Sequence, residues 1–224
     1  MKILVIDVGG SHVKVQASGQ RLRRKLPSGP GMTPRLMVRE VKDLISDWQY
    51  DVVSIGVPAR VLRGQVTAEP ANLGRGWIRF AFDGAFERPV KVINDAAMQA
   101  LGAYKGGRML FLGLGTGLGS AMIADHVMVP LELAHLPYKK ERSYEDLVGL
   151  RGLERNGKKR WRRDVADVVA RLALALGAED LVLGGGNSKY LKKLPPGARR
   201  GSNADAIKGG YRLWTDGDDH VHEG

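Results

Sequence analysis

Ile3-Leu4-Val5-Ile6-Asp7-Val8-Gly9-Gly10-Ser11-His12-Val13-Lys14-Val15 reads as strand, glycine turn, strand, and the chain repeats that pattern about a hundred residues later. The second copy is Met109-Leu110-Phe111-Leu112-Gly113-Leu114-Gly115-Thr116-Gly117-Leu118-Gly119-Ser120-Ala121-Met122-Ile123. Each copy is an apolar run, a turn of Gly with Ser or Thr, and a second apolar run. Between them Val92-Ile93-Asn94-Asp95 is an apolar run that ends in an acid. Two glycine turns with an acid between them point to handling of a phosphoryl group across a cleft between related halves.

The rest of the chain fits that reading. Residues 21–26 offer a third strand and 35–48 an amphipathic helix, with Leu36, Val38, Val41, Leu44, Ile45 and Trp48 at helical spacing. Residues 52–57 and 90–93 read as buried parallel strands, and a helix opens just after Asp95. Lys105-Gly106-Gly107-Arg108 marks a boundary. Beyond the second hairpin come a strand near 127–129, helices at 143–151 and 161–176, and the strand Leu181-Val182-Leu183. That strand runs into Gly184-Gly185-Gly186 and a helix, and a last helix spans 203–214. Strands followed by alternating helix and strand, performed twice, define a duplicated α/β fold with two mixed-sheet lobes and a cleft between them. The N-terminal lobe is expected at 1–106, the C-terminal lobe at 107–214, and a frayed tail at 215–224.

Composition narrows the chemistry. The 224 residues suffice for real cores, and 43% hydrophobic with 26% charged residues is ordinary for a globular protein. With no cysteine there is no disulfide, thiolate zinc site or cysteine nucleophile. No leader pattern opens the chain and no apolar run approaches the roughly 18 residues of a membrane span, so a cytoplasmic location is expected. The net charge of +11 favours anionic partners. It is clustered at Arg21–Lys25, Lys139–Arg142, Lys158–Arg163 and Lys189–Arg200, which are either solvated faces or a polyanion groove.

Backbone N–H groups of glycine turns are open to phosphate oxygens, and Ser11 and Thr116 add hydroxyl donors. Asp7 stands where a strand meets the first turn. A carboxylate there repels phosphate unless a cation lies between them, so Mg²⁺ held through water is its natural partner. Lys14 either offsets phosphate charge or faces solvent. Asp95 is either a helix N-cap or, at the carboxyl end of a strand facing a cleft, a general base. Glu132 and His135 sit three apart in an apolar stretch, as ligand groups or as a satisfied core pair. His220 and His222 resemble a metal pair in what reads as a disordered tail.

Taken in order, these motifs resemble the ROK family (repressors, sugar kinases and uncharacterised reading frames) of the actin-like ATPase superfamily, on the branch of polyphosphate glucokinases. The resemblance runs over about residues 2–214. Asp7-Val8-Gly9-Gly10-Ser11 and Leu114-Gly115-Thr116-Gly117-Leu118-Gly119 match the two phosphate motifs, and Gly184-Gly185-Gly186 the turn beside the nucleotide. Gly56-Val57-Pro58, Ala71-Asn72-Leu73 and Gly76-Trp77 match sugar-side loops, Ile93-Asn94-Asp95 the catalytic-base motif, and Glu132-Leu133-Ala134-His135 the Glu-x-Gly-His sugar motif. The resemblance implies a ribonuclease H-like fold and transfer of a phosphoryl group to a hexose, glucose 6-OH first, from ATP or polyphosphate with Mg²⁺. Asp95 would be the base. Asn72, Asn94, Asp95, Glu132, His135 and Glu145 would hold the sugar. Gly9, Gly10, Ser11, Lys14, Gly115, Thr116, Gly117, Gly184 and Gly185 would hold phosphate. Relatives in the family often form dimers.

Departures from the family pattern qualify this. Lys139 to Ser143 fills the place of a Cys-rich zinc motif, so no zinc is expected. Ala59 and Ala134 stand where the family usually has Gly, which keeps open a second reading: a sugar-binding or regulatory protein with little or no kinase activity. Charge alone would allow nucleic-acid binding, but no RNA-binding aromatic motif, zinc finger or recognition helix accompanies it, so no specific nucleic acid and no membrane are expected as partners.

Overall fold

The first apolar run becomes a strand buried at every position, β1 (Ile3–Val8), in a computed structural model that describes residues 1–139, 141–202 and 204–215. Around it form β2 (His12–Ala17), β3 (Arg24–Pro27), α1 (Pro34–Leu44), β4 (Val52–Val57), the small hairpin β5 (Val61–Leu62) and β6 (Gln65–Val66), α2 (Phe82–Phe86), β7 (Val90–Asn94) and α3 (Asp95–Ala103). The second series is β8 (Arg108–Leu114), β9 (Leu118–Ala124), β10 (Val127–Leu131), α4 (Tyr144–Val148), α5 (Leu150–Leu176), β11 (Asp180–Gly184), β12 (Ala198–Arg200) and α6 (Asp205–Thr215).

The two five-stranded sheets have the same plan. Their orders are β3-β2-β1-β4-β7 and β10-β9-β8-β11-β12. In each, the first three strands in sequence pair antiparallel and the next two add parallel to the first. This is the duplicated α/β arrangement of the actin-like ATPase fold.

α3 and α6 lie between the sheets. One apolar cluster takes Ile3 and Val5 of β1, Ala97, Ala100 and Leu101 of α3, Phe111 of β8, Ile123 of β9 and Ile207 of α6. The helices meet backbone to backbone, and glycine is what permits it. A Cβ on Gly102 would stand 1.8 Å from the Asp205 carbonyl oxygen, and one on Gly209 1.8 Å from that of Met98. α6 also seals the first sheet: Ser54 Oγ donates to Gly210 O at 2.5 Å, and Trp214 Nε1 to Ser54 Oγ at 2.9 Å.

Several elements differ from the sequence expectation. α1 stops at Leu44 because Arg24 on β3 donates to the Leu44 carbonyl at 2.7 Å, capping the helix end while pairing with Asp47. Ile45 and Trp48 stay buried without helical backbone. Residues 150–176 form one long element broken at Gly157 (φ 70°, ψ 162°), so the basic stretch at 158–163 is helical. The glycine run after β11 leads into a 3-10 turn, Gly186–Tyr190, instead of a helix, and Arg162 and Arg200 donate to the Tyr190, Ser188 and Leu191 carbonyls at its end. Thr215 closes α6, and the remainder of the expected tail, 216–224 with His220 and His222, lies outside the described residues.

Replacing Gly209 with Ala drives a methyl into the α3 backbone. Denaturant unfolding is expected to show a loss of about 1–3 kcal/mol or more. Gly84→Ala on α2, where a Cβ meets nothing within 4 Å, is expected to be neutral or stabilising by about 0.5–1 kcal/mol.

Candidate active site

Three parallel strands end side by side in the first sheet. Asp7 is paired with Gly56, Gly56 with Ile93, and Val57 with Asn94. Their carboxyl ends open toward the start of α3, where α/β sheets commonly bind ligands. Gly56 has no side chain because α3 presses there: a Cβ would stand 2.4 Å from Met98 Cε and 3.5 Å from Asp95 Cα. On the other side of the same helix end, a Cβ on Gly119 would stand 2.8 Å from that of Ala96. The first residues of α3 are thus clamped between the two sheets.

Asn94 is the helix N-cap. Its Oδ1 accepts from Ala96 N at 2.9 Å and Ala97 N at 3.2 Å, while its Nδ2 donates to Ala59 O at 3.1 Å. The capping role therefore belongs to Asn94, which leaves Asp95 as the first helical residue with a carboxyl group free for chemistry. Asp95 is half-buried, and its Oδ1 accepts from Ala96 N at 2.8 Å. Burial, and then the neighbouring Asp7 charge, push its pKa up to about 7, against the smaller opposing pull of that backbone N–H and of Lys14.

Asp7 is buried, and its carboxylate accepts from Lys14 Nζ at 3.1 Å across the β1–β2 pair. Lys14 therefore spends its charge on Asp7. Among the described residues no group of three or more His, Cys, Asp or Glu could hold a metal ion. A buried carboxylate facing a second one, with one Lys on it, fits a Mg²⁺ ion that keeps most of its waters and takes one or two carboxylates.

The two glycine turns are built alike. In the first, Gly9 N donates to His12 O, while Ser28 buttresses it by bonding Ser11 O and Gly9 O. The N–H groups of Gly10 and Ser11 have no acceptor among the described residues. In the second, Gly115 N donates to Gly117 O, and the N–H groups of Thr116 and Gly117 are left in the same state. Each turn thus presents two adjacent backbone donors, the arrangement that cradles an anion.

Of the remaining expected residues, Asn72 lies beside the first turn, its Cβ 3.5 Å from where one on Gly10 would stand. Glu145 lies against the second, accepting from Leu118 N at 3.0 Å. Gly184 and Gly185 pack the end of β11 onto β8, and a Cβ on Gly185 (φ 78°) would stand 2.4 Å from Leu114 O. Glu132 and His135 are both exposed, one just before and the other ending the 3-10 turn Leu133–His135, with Ala134 buried between them. They are not a core pair. The Ala134 methyl is in the protein interior.

Three supporting residues escaped the sequence reading. Asn187 Nδ2 reaches from the Gly186–Tyr190 turn to Gly115 O at 2.8 Å, tying the second and third glycine turns together. Its position one residue past a glycine run was the available signal. Ser28 has no local signature. Glu69 accepts from Gly76 N and Trp77 N and shapes the sugar-side loop. Where the family resemblance would put zinc, the chain from Pro137 to Ser143 closes on itself by a bridge between those two residues. Tyr138 and Lys139 tie it to α5 through Asp167, which also accepts from Arg171 of the same helix. These bonds, Lys139 first, hold the Asp167 carboxyl down to about 2.

No protein-family model matches the chain. Over 215 residues it is 26% identical to a polyphosphate glucokinase of Mycobacterium tuberculosis, covering 85% of this chain and 80% of that one. The inorganic polyphosphate/ATP-glucomannokinase of Arthrobacter sp. strain KM superposes with a TM-score of 0.80 at 24% identity, covering 93% of this chain and 96% of that one. A ROK family glucokinase from Streptomyces griseus, solved with glucose and AMPPNP, gives 0.77 at 17% identity over 97% and 100%. The two-lobed architecture is that of the actin-like ATPases. In sequence and fold the chain is similar to ROK family sugar kinases of the polyphosphate glucokinase branch. Among the described residues no helix is long and apolar enough to cross a membrane.

The folded state favours the protonated form of Asp95, whose pKa is raised from 3.8 to about 7. This contribution to stability is complete below 3.8 and is lost as pH rises through about 7. Asp95→Asn is therefore expected to gain stability relative to the parent above pH 7, read by thermal unfolding across pH. Asp7→Asn removes a neighbouring negative charge and is expected to lower the Asp95 pKa, measured by carbon-detected NMR of the carboxyl.

Proposed function

We propose that this chain is a hexose kinase, transferring a phosphoryl group from ATP or inorganic polyphosphate to a sugar hydroxyl, with glucose 6-OH the first acceptor to test. The observation that carries the reading is the position of Asp95. Its carboxyl heads α3, clamped between two sheets that each present a glycine turn with two open backbone donors, and its pKa of about 7 suits a base that must take and release a proton near neutrality.

In the reaction Asp95 accepts the hydroxyl proton as the sugar oxygen attacks the terminal phosphorus. The bond from that phosphorus to its bridging oxygen breaks, and the electron pair leaves with the remaining donor chain. Gly10, Ser11, Thr116 and Gly117 offer backbone N–H groups to the donor phosphates. Asp7 would hold Mg²⁺, which when bound supplies neutralisation of phosphate charge. Asp95, Asn72, the remaining N–H of Asn94, and the exposed pair Glu132 and His135 are the groups proposed to orient the sugar. Residues 1–106 would carry the first phosphate turn, the sugar-side loops and Asp95, and 107–214 the second phosphate turn, Glu132 and His135 and the nucleotide-side glycine turn. Glu145 contributes by pinning the second turn through Leu118, in addition to any contact with sugar. Positioning and electrostatic stabilisation supply most of the rate.

Asp95→Asn is expected to lower turnover by about 10²–10⁴-fold or more while glucose binding by calorimetry is retained. Near-parental turnover would remove Asp95 as the base. A parent protein that binds hexose but transfers phosphate from neither ATP nor polyphosphate to any member of a hexose panel, read by product mass, would replace the kinase reading with that of a sugar-binding protein.

A further inference from the structure

Each glycine turn has a carboxylate beside it, and the two are not equivalent. Asp7, at the first, is bonded by Lys14 at 3.1 Å. Glu145, at the second, is half-buried and has no cationic partner among the described residues. Its Oε2 accepts from Leu118 N at 3.0 Å, the donor next in line after the open N–H groups of Thr116 and Gly117. The space its carboxylate fills is the missing side chain of Gly117, where a Cβ would stand 2.2 Å from Oε2. An anionic group of the protein thus already occupies one edge of the proposed phosphate cradle. A phosphate arriving beside it meets a like charge where screening by water is reduced.

The backbone around Glu145 holds the carboxylate in that place. Ser143 and Asp146 form a capping box that fixes the first turn of α4, and just past its far end Leu150 N donates to Thr116 O at 3.1 Å. The same corner is joined to the segment that carries Glu132 and His135. Tyr144 N donates to Leu136 O at 3.1 Å. Ser120, two residues beyond Leu118, donates through its hydroxyl to Leu131 O at 2.7 Å and accepts from Leu133 N at 3.3 Å. Glu145 therefore stands where the proposed acceptor segment meets the proposed donor turn. Its second oxygen, Oε1, carries no hydrogen bond among the described residues.

We propose that Glu145 couples the two substrates: its carboxylate disfavours donor phosphate at the second glycine turn until a sugar hydroxyl donates to Oε1. The inference rests on the kinase reading above and adds to it a dependence of donor binding on the acceptor. A hydroxyl on Oε1 satisfies the carboxylate and draws its charge away from Oε2, which weakens the repulsion that the phosphate meets. A donor bound without acceptor has only water as its nucleophile, so the same coupling limits wasteful hydrolysis.

The test compares the parent with Glu145→Gln and Glu145→Asp. Binding of AMPPNP and of tripolyphosphate, each with magnesium, is measured by calorimetry without sugar and at saturating 6-deoxyglucose, which lacks the reacting hydroxyl. In the parent the sugar is expected to tighten at least one of the two about 5- to 20-fold, and that donor to tighten the sugar by the same factor. Gln keeps an acceptor for Leu118 N and removes the charge. Its sugar-free donor affinity is expected to rise about fivefold or more, with the sugar then changing it less than about twofold. Asp keeps the charge, and its sugar-free donor affinity is expected to show no such rise. A Gln variant whose sugar-free affinity is unchanged or lower overturns the proposal, because that is the result of a carboxylate that only shapes the turn. So does an Asp variant that gains as much as Gln. A parent that phosphorylates glucose, but whose donor affinity ignores the sugar, overturns the coupling and leaves the kinase reading standing. A parent whose coupling is present and is lost in the Gln variant, but which transfers phosphate to no hexose, keeps the coupling and overturns the kinase reading.

Discussion

Everything in this molecule depends on how closely its neighbours can approach α3. The helix carries Asp95 at its first residue and lies between two sheets. At each contact the partner or the helix itself supplies a glycine: Gly56 on β4, Gly119 on β9, Gly102 within α3 and Gly209 on α6. The Gly102 and Gly209 contacts are between backbones and cannot be relaxed by a side chain changing rotamer, while Gly56 and Gly119 make room for the Met98 side chain and the Ala96 methyl. They fix the helix in position and direction, so the carboxyl group at its head is located by the whole core. A site built this way has the rigidity that positioning catalysis requires.

The electrostatics follow from that placement. Asp7 and Asp95 are brought together by the register of β1, β4 and β7, and the cation that acts on the pair among the described residues is Lys14. Asn94 takes over the helix cap and thereby releases Asp95 from the structural duty that an acid at a helix start usually performs. What results is one carboxylate bonded to Lys14 and a second, Asp95, that is easily protonated. Of the two neighbouring residues, Asn94 does the capping, and Asp95 is the one proposed for the chemistry.

The duplicated plan was legible in the sequence because it is written twice in strong local signals. Apolar runs broken by Gly9-Gly10 and Gly115-Thr116-Gly117 can hardly be anything other than strand, turn, strand. Asp95 was legible because it ends such a run. What escaped was decided at long range. The early end of α1 is set by Arg24 twenty residues before the capped carbonyl. The 3-10 turn after β11 is bonded at its end by guanidinium groups from α5 and β12. Glu145 carries no mark that its carboxylate will pin Leu118, and Ser28 none that it will buttress the first turn. The basic clusters looked alike as composition, and only the placement of Asp47, Asp167 and Asp180 shows that Arg24, Lys139 and Arg199 are paired.

The position of α6 has a consequence for how the chain is made. The first sheet is nearly complete as a sequence by Asn94, yet the groups that close its inner face come last: Gly210 meets Val5, and Trp214 reaches Ser54 across 160 residues. A nascent chain emerging from the ribosome must therefore carry an open apolar surface on β1 and β4 through the synthesis of the entire second sheet. Closure then waits for α6, a high-contact-order event that leaves the unfinished protein exposed to aggregation until that helix is released.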